Sequence, residues 1–123
     1  MQQATQLYGK VAKQIAAPRD LEAGLLLKSA AKLQAIHDDW ETERANLYDA
    51  LTYNRKLWTL FTAANMVQGH PLPSAIRQNI VNLGVFVMKQ TLAITQNPQR
   101  EALRSLIGIN REIAAGLRPG PQI

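Results

Sequence analysis

The sequence predicts an all-α protein, a single-domain antiparallel bundle of four to five helices over residues 1–123. Two observations carry this. Apolar residues recur at three- and four-residue steps through most of the chain, while the two-residue alternation of a half-buried strand persists nowhere. Prolines at 18, 71, 73, 98, 119 and 121 punctuate the helical stretches and mark where each must stop or start.

A first helix is expected over residues 3–16, where Leu7, Val11 and Ile15 form a thin apolar stripe. So short and narrow a helix is marginal alone, and residues 1–16 are expected to pack loosely or to order on binding. The second helix follows Pro18, which suits a first helical turn, with Asp20 and Glu22 near the positive end of the helix dipole. Its face is read as Leu21, Leu25, Ser29, Leu33, Ile36 and Trp40, widened by Leu26 and Ala30. The acidic run Asp38-Asp39-Trp40-Glu41-Thr42-Glu43 marks a turn or helix junction.

The third helix, residues 43–68, places Leu47, Leu51, Asn54, Trp58, Phe61 and Asn65 on one face, with Leu57, Leu60, Ala64 and Val67 beside it. Gln68-Gly69-His70-Pro71 supplies a capping glycine and a stop. The fourth helix opens at Pro73-Ser74 and ends before Asn97-Pro98. It carries two stripes, Ile76-Ile80-Leu83-Val87-Ile94 and Val81-Val85-Met88-Leu92. A helix apolar on two sides is expected at the centre of a bundle. The fifth, residues 98–116, is lined by Leu103, Leu106, Ile107, Asn110, Ile113 and Leu117. Gly116 is read as its C-cap, and residues 118–123 as a non-helical tail.

Composition narrows the chemistry. Cysteine is absent, which excludes disulfides, thiolate nucleophiles and cysteine-bound zinc. No stretch approaches the ~20 apolar residues a membrane span requires, so no membrane insertion is expected. The opening residues Met1-Gln2-Gln3-Ala4-Thr5-Gln6 show no basic segment followed by an apolar one, so no secretory signal is expected, and a cytoplasmic location is. The net charge of +5 is uneven: from residue 71 onward, six Arg/Lys face two Glu. Such a bias favours an anionic partner but falls short of the basic clusters of dedicated nucleic-acid binders.

Catalytic groups are few. His37 and His70 lie in different segments, without a metal-binding pair, phosphate loop or activated serine motif. No catalytic residue, metal or cofactor is therefore assigned, and no enzymatic activity is expected. The carboxylates at Asp38, Asp39, Glu41 and Glu43 lack a calcium-loop pattern and read as a solvated connection.

Two groups of residues are candidates for partner binding. Arg100, Arg104 and Arg111 fall within a narrow arc of the last helix, joined by Arg118 if the helix reaches it. They read either as a solvated basic flank or as a docking strip for carboxylates or phosphates. Trp58, Phe61 and Met66, with Trp40, Phe86 and Met88, are large adaptable apolar groups that serve as core or line a groove for a partner helix. Asn54, Asn65 and Asn110 interrupt apolar stripes. An unpaired buried amide costs roughly 1–3 kcal/mol, so interhelical hydrogen bonding is expected of them.

Several strings, in order, resemble the FlaF family of flagellar regulators: Ala16-Ala17-Pro18-Arg19-Asp20-Leu21-Glu22-Ala23 with Leu25-Leu26-Leu27-Lys28; Asn54-Arg55-Lys56-Leu57-Trp58-Thr59; Pro71-Leu72-Pro73 with Arg77; and Leu106-Ile107-Gly108-Ile109-Asn110-Arg111 with Gly116 and Leu117. The resemblance extends from about residue 8 to 117, with His70 standing where Asn or Asp is expected. It implies a role in flagellin production: binding flagellin in chaperone fashion and promoting its synthesis or secretion, alongside FlbT, which opposes flagellin translation. The matching motif residues are Arg55, Leu57, Trp58, Leu72, Pro73, Arg77, Asn110, Gly116 and Leu117. On that footing, a groove near Trp58, Phe61 and Met66 would cover an apolar helix of flagellin, with the arginines orienting acidic residues. Two alternatives stand beside it: direct binding of flagellin mRNA through the basic C-terminal half, and a small helical enzyme holding an anionic metabolite with Arg55, Arg77 and Glu112.

Overall fold

A computed structural model describes residues 18–67 and 72–118. Four long helices account for most of them: α1 (Pro18–Asp38), α2 (Leu47–Asn65), α3 (Ser74–Gln96) and α4 (Leu103–Leu117). Among the described residues there is no strand. The helix expected over residues 3–16, the glycine stop at 68–71 and the tail at 119–123 lie outside the described residues.

The boundaries follow local chemistry. Proline at the first position of α1 lacks an amide that would have no helical partner there anyway. α3 opens after extended Pro73 (φ −56°, ψ 147°), whose carbonyl accepts from the Arg77 amide at 3.0 Å. It closes at Asn97, which Pro98 holds out of the helical region (φ −144°, ψ 83°). The acidic junction after α1 is itself wound, into a helical turn (Trp40–Glu43) and a 3-10 turn (Arg44–Asn46). A second 3-10 turn (Arg100–Ala102) leads into α4. Gly116 is not the C-cap that the sequence suggests: α4 continues to Leu117, which is buried, and Arg118 takes the cap.

α4 lies along α1, and α2 packs against both α1 and α3. The core sits among α1, α2 and α4. It is built from Leu26, Ala30 and Leu33 of α1, Leu51, Trp58 and Phe61 of α2, and Leu103, Leu106 and Ala114 of α4. Ile80, Val87 and Ile94 of α3 close it from one side. Small Ala23 and Ala30, both buried on α1, give α4 room to approach.

Two expected faces shift. On α1 the buried face is centred on Leu26, Ala30 and Leu33, while Leu21 is 38% exposed. Leucines surround the first turns of α1 on nearly every side, so periodicity alone does not locate the buried stripe. α3 is not central. Its stripe through Ile80, Val87 and Ile94 is buried, but Val85 and Leu92 of the second stripe are 51% and 58% exposed. Among the described residues no helix covers that side.

Candidate partner-binding surface

Trp58 and Phe61 do not line an open groove. Trp58 is fully buried and Phe61 is 4% exposed; their rings meet edge to face with centroids 5.4 Å apart. An aromatic pair at helical spacing on the most apolar face of α2 is drawn inward by its area. Met66, at the end of the same helix, is 67% exposed.

Trp58 is anchored by a polar cluster inside the core. Its Nε1 donates to Asn110 Oδ1 at 2.8 Å, and Asn110 Nδ2 donates to Asn54 Oδ1 at 2.8 Å and to the Leu26 carbonyl at 3.3 Å. Ser29 Oγ donates to the same Asn54 oxygen at 2.8 Å. An indole nitrogen is a donor only, so Asn110 must turn its oxygen to Trp58. Its nitrogen then faces Asn54, which must in turn present oxygen. Asn54 Nδ2 is left without a partner among the described residues. The interhelical bonding expected of Asn54 and Asn110 is present, tying α1, α2 and α4 together. Asn65 differs: its Nδ2 donates within its own helix, to the Phe61 carbonyl at 2.9 Å. Ser29 is the member that sequence reading left without a role; a hydroxyl on an apolar stripe is its signal.

Arg77 closes α2. Its Nε donates to the Asn65 carbonyl at 2.9 Å and its Nη2 to the Val67 carbonyl at 2.8 Å, at the negative end of the helix. That guanidinium is committed to the hairpin between α2 and α3, not displayed for an anion.

The arginine strip is also largely internal to the fold. Arg100 sits in the turn before α4 and its Nε donates to the His37 carbonyl at 2.7 Å, capping α1. Arg104 Nε lies 2.8 Å from Glu101 Oε2 and 3.3 Å from His37 Nε2. Arg118 reaches the other end of α1, donating to the Asp20 carbonyl at 3.1 Å. Arg111 is exposed and makes no hydrogen bond or ion pair to the described residues. The expected arc of three therefore divides: Arg104 and Arg111 share an exposed face of α4, while Arg100 turns back onto α1.

His37 is buried between these groups, with Nδ1 3.3 Å from Asp38 Oδ1 and Nε2 3.5 Å from Glu101 Oε1. Hydrogen bonds from Gln34 and then His37 hold the Asp38 carboxyl below its usual range. At the start of α1, burial pushes the Glu22 carboxyl up, and Arg19 partly offsets it. Among the described residues, no group of three or more His, Cys, Asp or Glu is placed to hold a metal ion.

Around this interior the surface carries several large apolar groups. Tyr48, Leu60, Met66, Val67, Val85 and Leu92 are each more than half exposed. Large exposed apolar patches on small domains mark sites of association. The molecule is thus a small helical domain whose distinctive chemistry lies in its surface and in a polar-pinned core. Among the described residues, no helix is long and apolar enough to cross a membrane.

The family described as flagellar protein FlaF matches residues 4–117, and the chain belongs to that family, so it is a flagellar protein. No curated protein and no solved structure matches it.

Proposed function

We propose that this chain is a non-enzymatic, cytoplasmic regulator of flagellar biosynthesis that binds flagellin in chaperone fashion and promotes its synthesis or secretion. The observation that carries the reading is the apolar surface left uncovered on α2 and α3, including Met66, Val85 and Leu92. A flagellar protein with such a surface is suited to hold an amphipathic helix of an unassembled subunit, where burial contributes roughly 25 cal/mol per Å² before ordering costs. The arginines favour protein over RNA as the partner. Three of the four in the C-terminal segment are engaged with α1 or Glu101, which leaves few cations to follow a phosphate backbone.

The test is isothermal titration of the purified chain with purified flagellin and, separately, with flagellin leader RNA at two salt concentrations. A flagellin complex that survives nuclease treatment and depends weakly on salt is expected. Binding to the RNA alone, falling steeply with salt, would replace this reading with the RNA one.

A further inference from the structure

The outer side of the α2–α3 hairpin carries a furrow with an apolar rim on α3 and a mixed rim on α2, where Thr52, Arg55, Thr59 and Thr62 lie between Tyr48 and Met66. Tyr48 and Met66, the residue that caps α2, are eighteen residues apart, about five full turns, and so fall on the same side of its axis. On α3, Val81, Val85, Met88 and Leu92 follow at steps of four, three and four, and form the facing rim. A hollow of about 250 Å³ among Tyr48, Thr52, Arg55, Met88, Leu92 and Thr95 opens one end. A second, of about 310 Å³ among Met66, Arg77, Gln78 and Val81, opens the other. Between them Gly84 brings the backbone of α3 against Thr62. At a rise of about 1.5 Å per residue, the distance from Tyr48 to Met66 suits a helix of about five turns.

Its charges are of one sign. α3 contains no Asp or Glu in its 23 residues. The exposed cations beside the furrow are Arg55 and Lys89; Arg77 is already engaged at the end of α2. The one acid of α2, Asp49, lines a different hollow with Lys32 and Tyr53.

We infer that this furrow binds an amphipathic partner helix whose apolar stripe is flanked by acidic residues. The inference rests on the flagellin reading for the partner's identity and adds the surface and the chemistry. Charge argues against the other occupants. The stripe at Leu7, Val11 and Ile15 is accompanied by Lys10 and Lys13, with no acid before Asp20. A second copy of the chain would set the same basic rim against itself.

Two fluorescent peptides of eighteen residues test it, sharing one leucine stripe, with glutamate flanks in one and lysine flanks in the other. Anisotropy with the full chain is expected to show the glutamate peptide binding at least about tenfold more tightly. Val85→Glu/Leu92→Glu should weaken it about tenfold or more with unchanged circular dichroism, since both positions are exposed. Arg55→Glu is expected to reverse the preference between the peptides, and Arg111→Glu, on α4, to leave it unchanged.

Equal binding of both peptides overturns the acidic occupant. If the Val85→Glu/Leu92→Glu variant keeps full affinity for both the glutamate peptide and flagellin, the furrow is wrong and the flagellin reading stands. If flagellin fails to bind while the peptide binds and is lost in that variant, the furrow stands and the flagellin reading falls. A tenfold gain in peptide affinity on Leu7→Asp/Val11→Asp would assign the furrow to the N-terminal segment. A dimer that this furrow variant converts to a monomer would assign it to a second copy. Either result overturns the inference.

Discussion

Trp58 and Asn110 meet inside the core, indole nitrogen to amide oxygen at 2.8 Å, both side chains sealed from solvent. The contact sets the orientation of everything polar around it. Trp58→Phe removes the donor and leaves Asn110 Oδ1 buried without a partner. A loss of about 1–3 kcal/mol is expected in urea unfolding. Asn54→Ala and Asn110→Ala should each destabilise, and the double variant by less than their sum, because they share one hydrogen bond. Strict additivity would mean that the cluster does not act as a unit.

Arg77 holds the last carbonyl of α2, that of Asn65, and the Val67 carbonyl just beyond it, with two arms of one guanidinium. Arg77→Met should cost about 1.5–3 kcal/mol, the range for hydrogen bonds to a charged donor. Arg77→Lys should recover only part of it, since a single ammonium does not reproduce the fork. Faster amide exchange at the end of α2 is the accompanying signal. Full recovery by lysine would show that charge, not geometry, is what matters.

Glycine to alanine inside a helix ordinarily stabilises by roughly 0.5–1 kcal/mol. At Gly108, where an added methyl meets open space, that gain is expected. At Gly84 the sign should reverse, because a β-carbon would overlap Thr62 Oγ1 and part the two helices. Overpacking of this kind costs about 1–3 kcal/mol. Combining Gly84→Ala with Thr62→Ala should recover most of the loss. Thermal melts of the single and double variants decide it.

Burial raises the Glu22 carboxyl above its ordinary 4.5, so the folded chain holds that proton more firmly than the unfolded chain. Its contribution to stability is fully present below the unfolded pKa and is lost as pH rises through the folded one. Glu22→Gln should therefore be more stable than the parent at pH 7 and no more stable near pH 3. A gain that persists in acid would exclude the carboxyl as its source.

Much of the architecture was legible in the residues. The stripe Leu47-Leu51-Asn54-Trp58-Phe61-Asn65 is buried throughout, and the limits of α3 fall at Pro73 and Asn97 as its prolines require. The family strings were likewise readable. The candidate site was less so. Trp58 and Phe61 read as core first and groove second, because spacing reports a face but not what covers it. Arg100 and Arg104 read as a solvated flank or a docking strip, because the end of α1 they serve is more than sixty residues away in sequence.

By itself the sequence determined that the chain is helical, where α3 begins and ends, and that it resembles FlaF proteins; these depend on local spacing, proline and ordered motifs. Tertiary structure alone decided which apolar stripe is sealed, which asparagines join across helices, and which arginines cap α1 and α2. Burial is a property of what lies opposite a residue, and those partners come from distant parts of the chain. The same reasoning makes Val85 and Leu92 informative: as apolar as Val87 and Ile94 on the same helix, they differ in having no described helix over them.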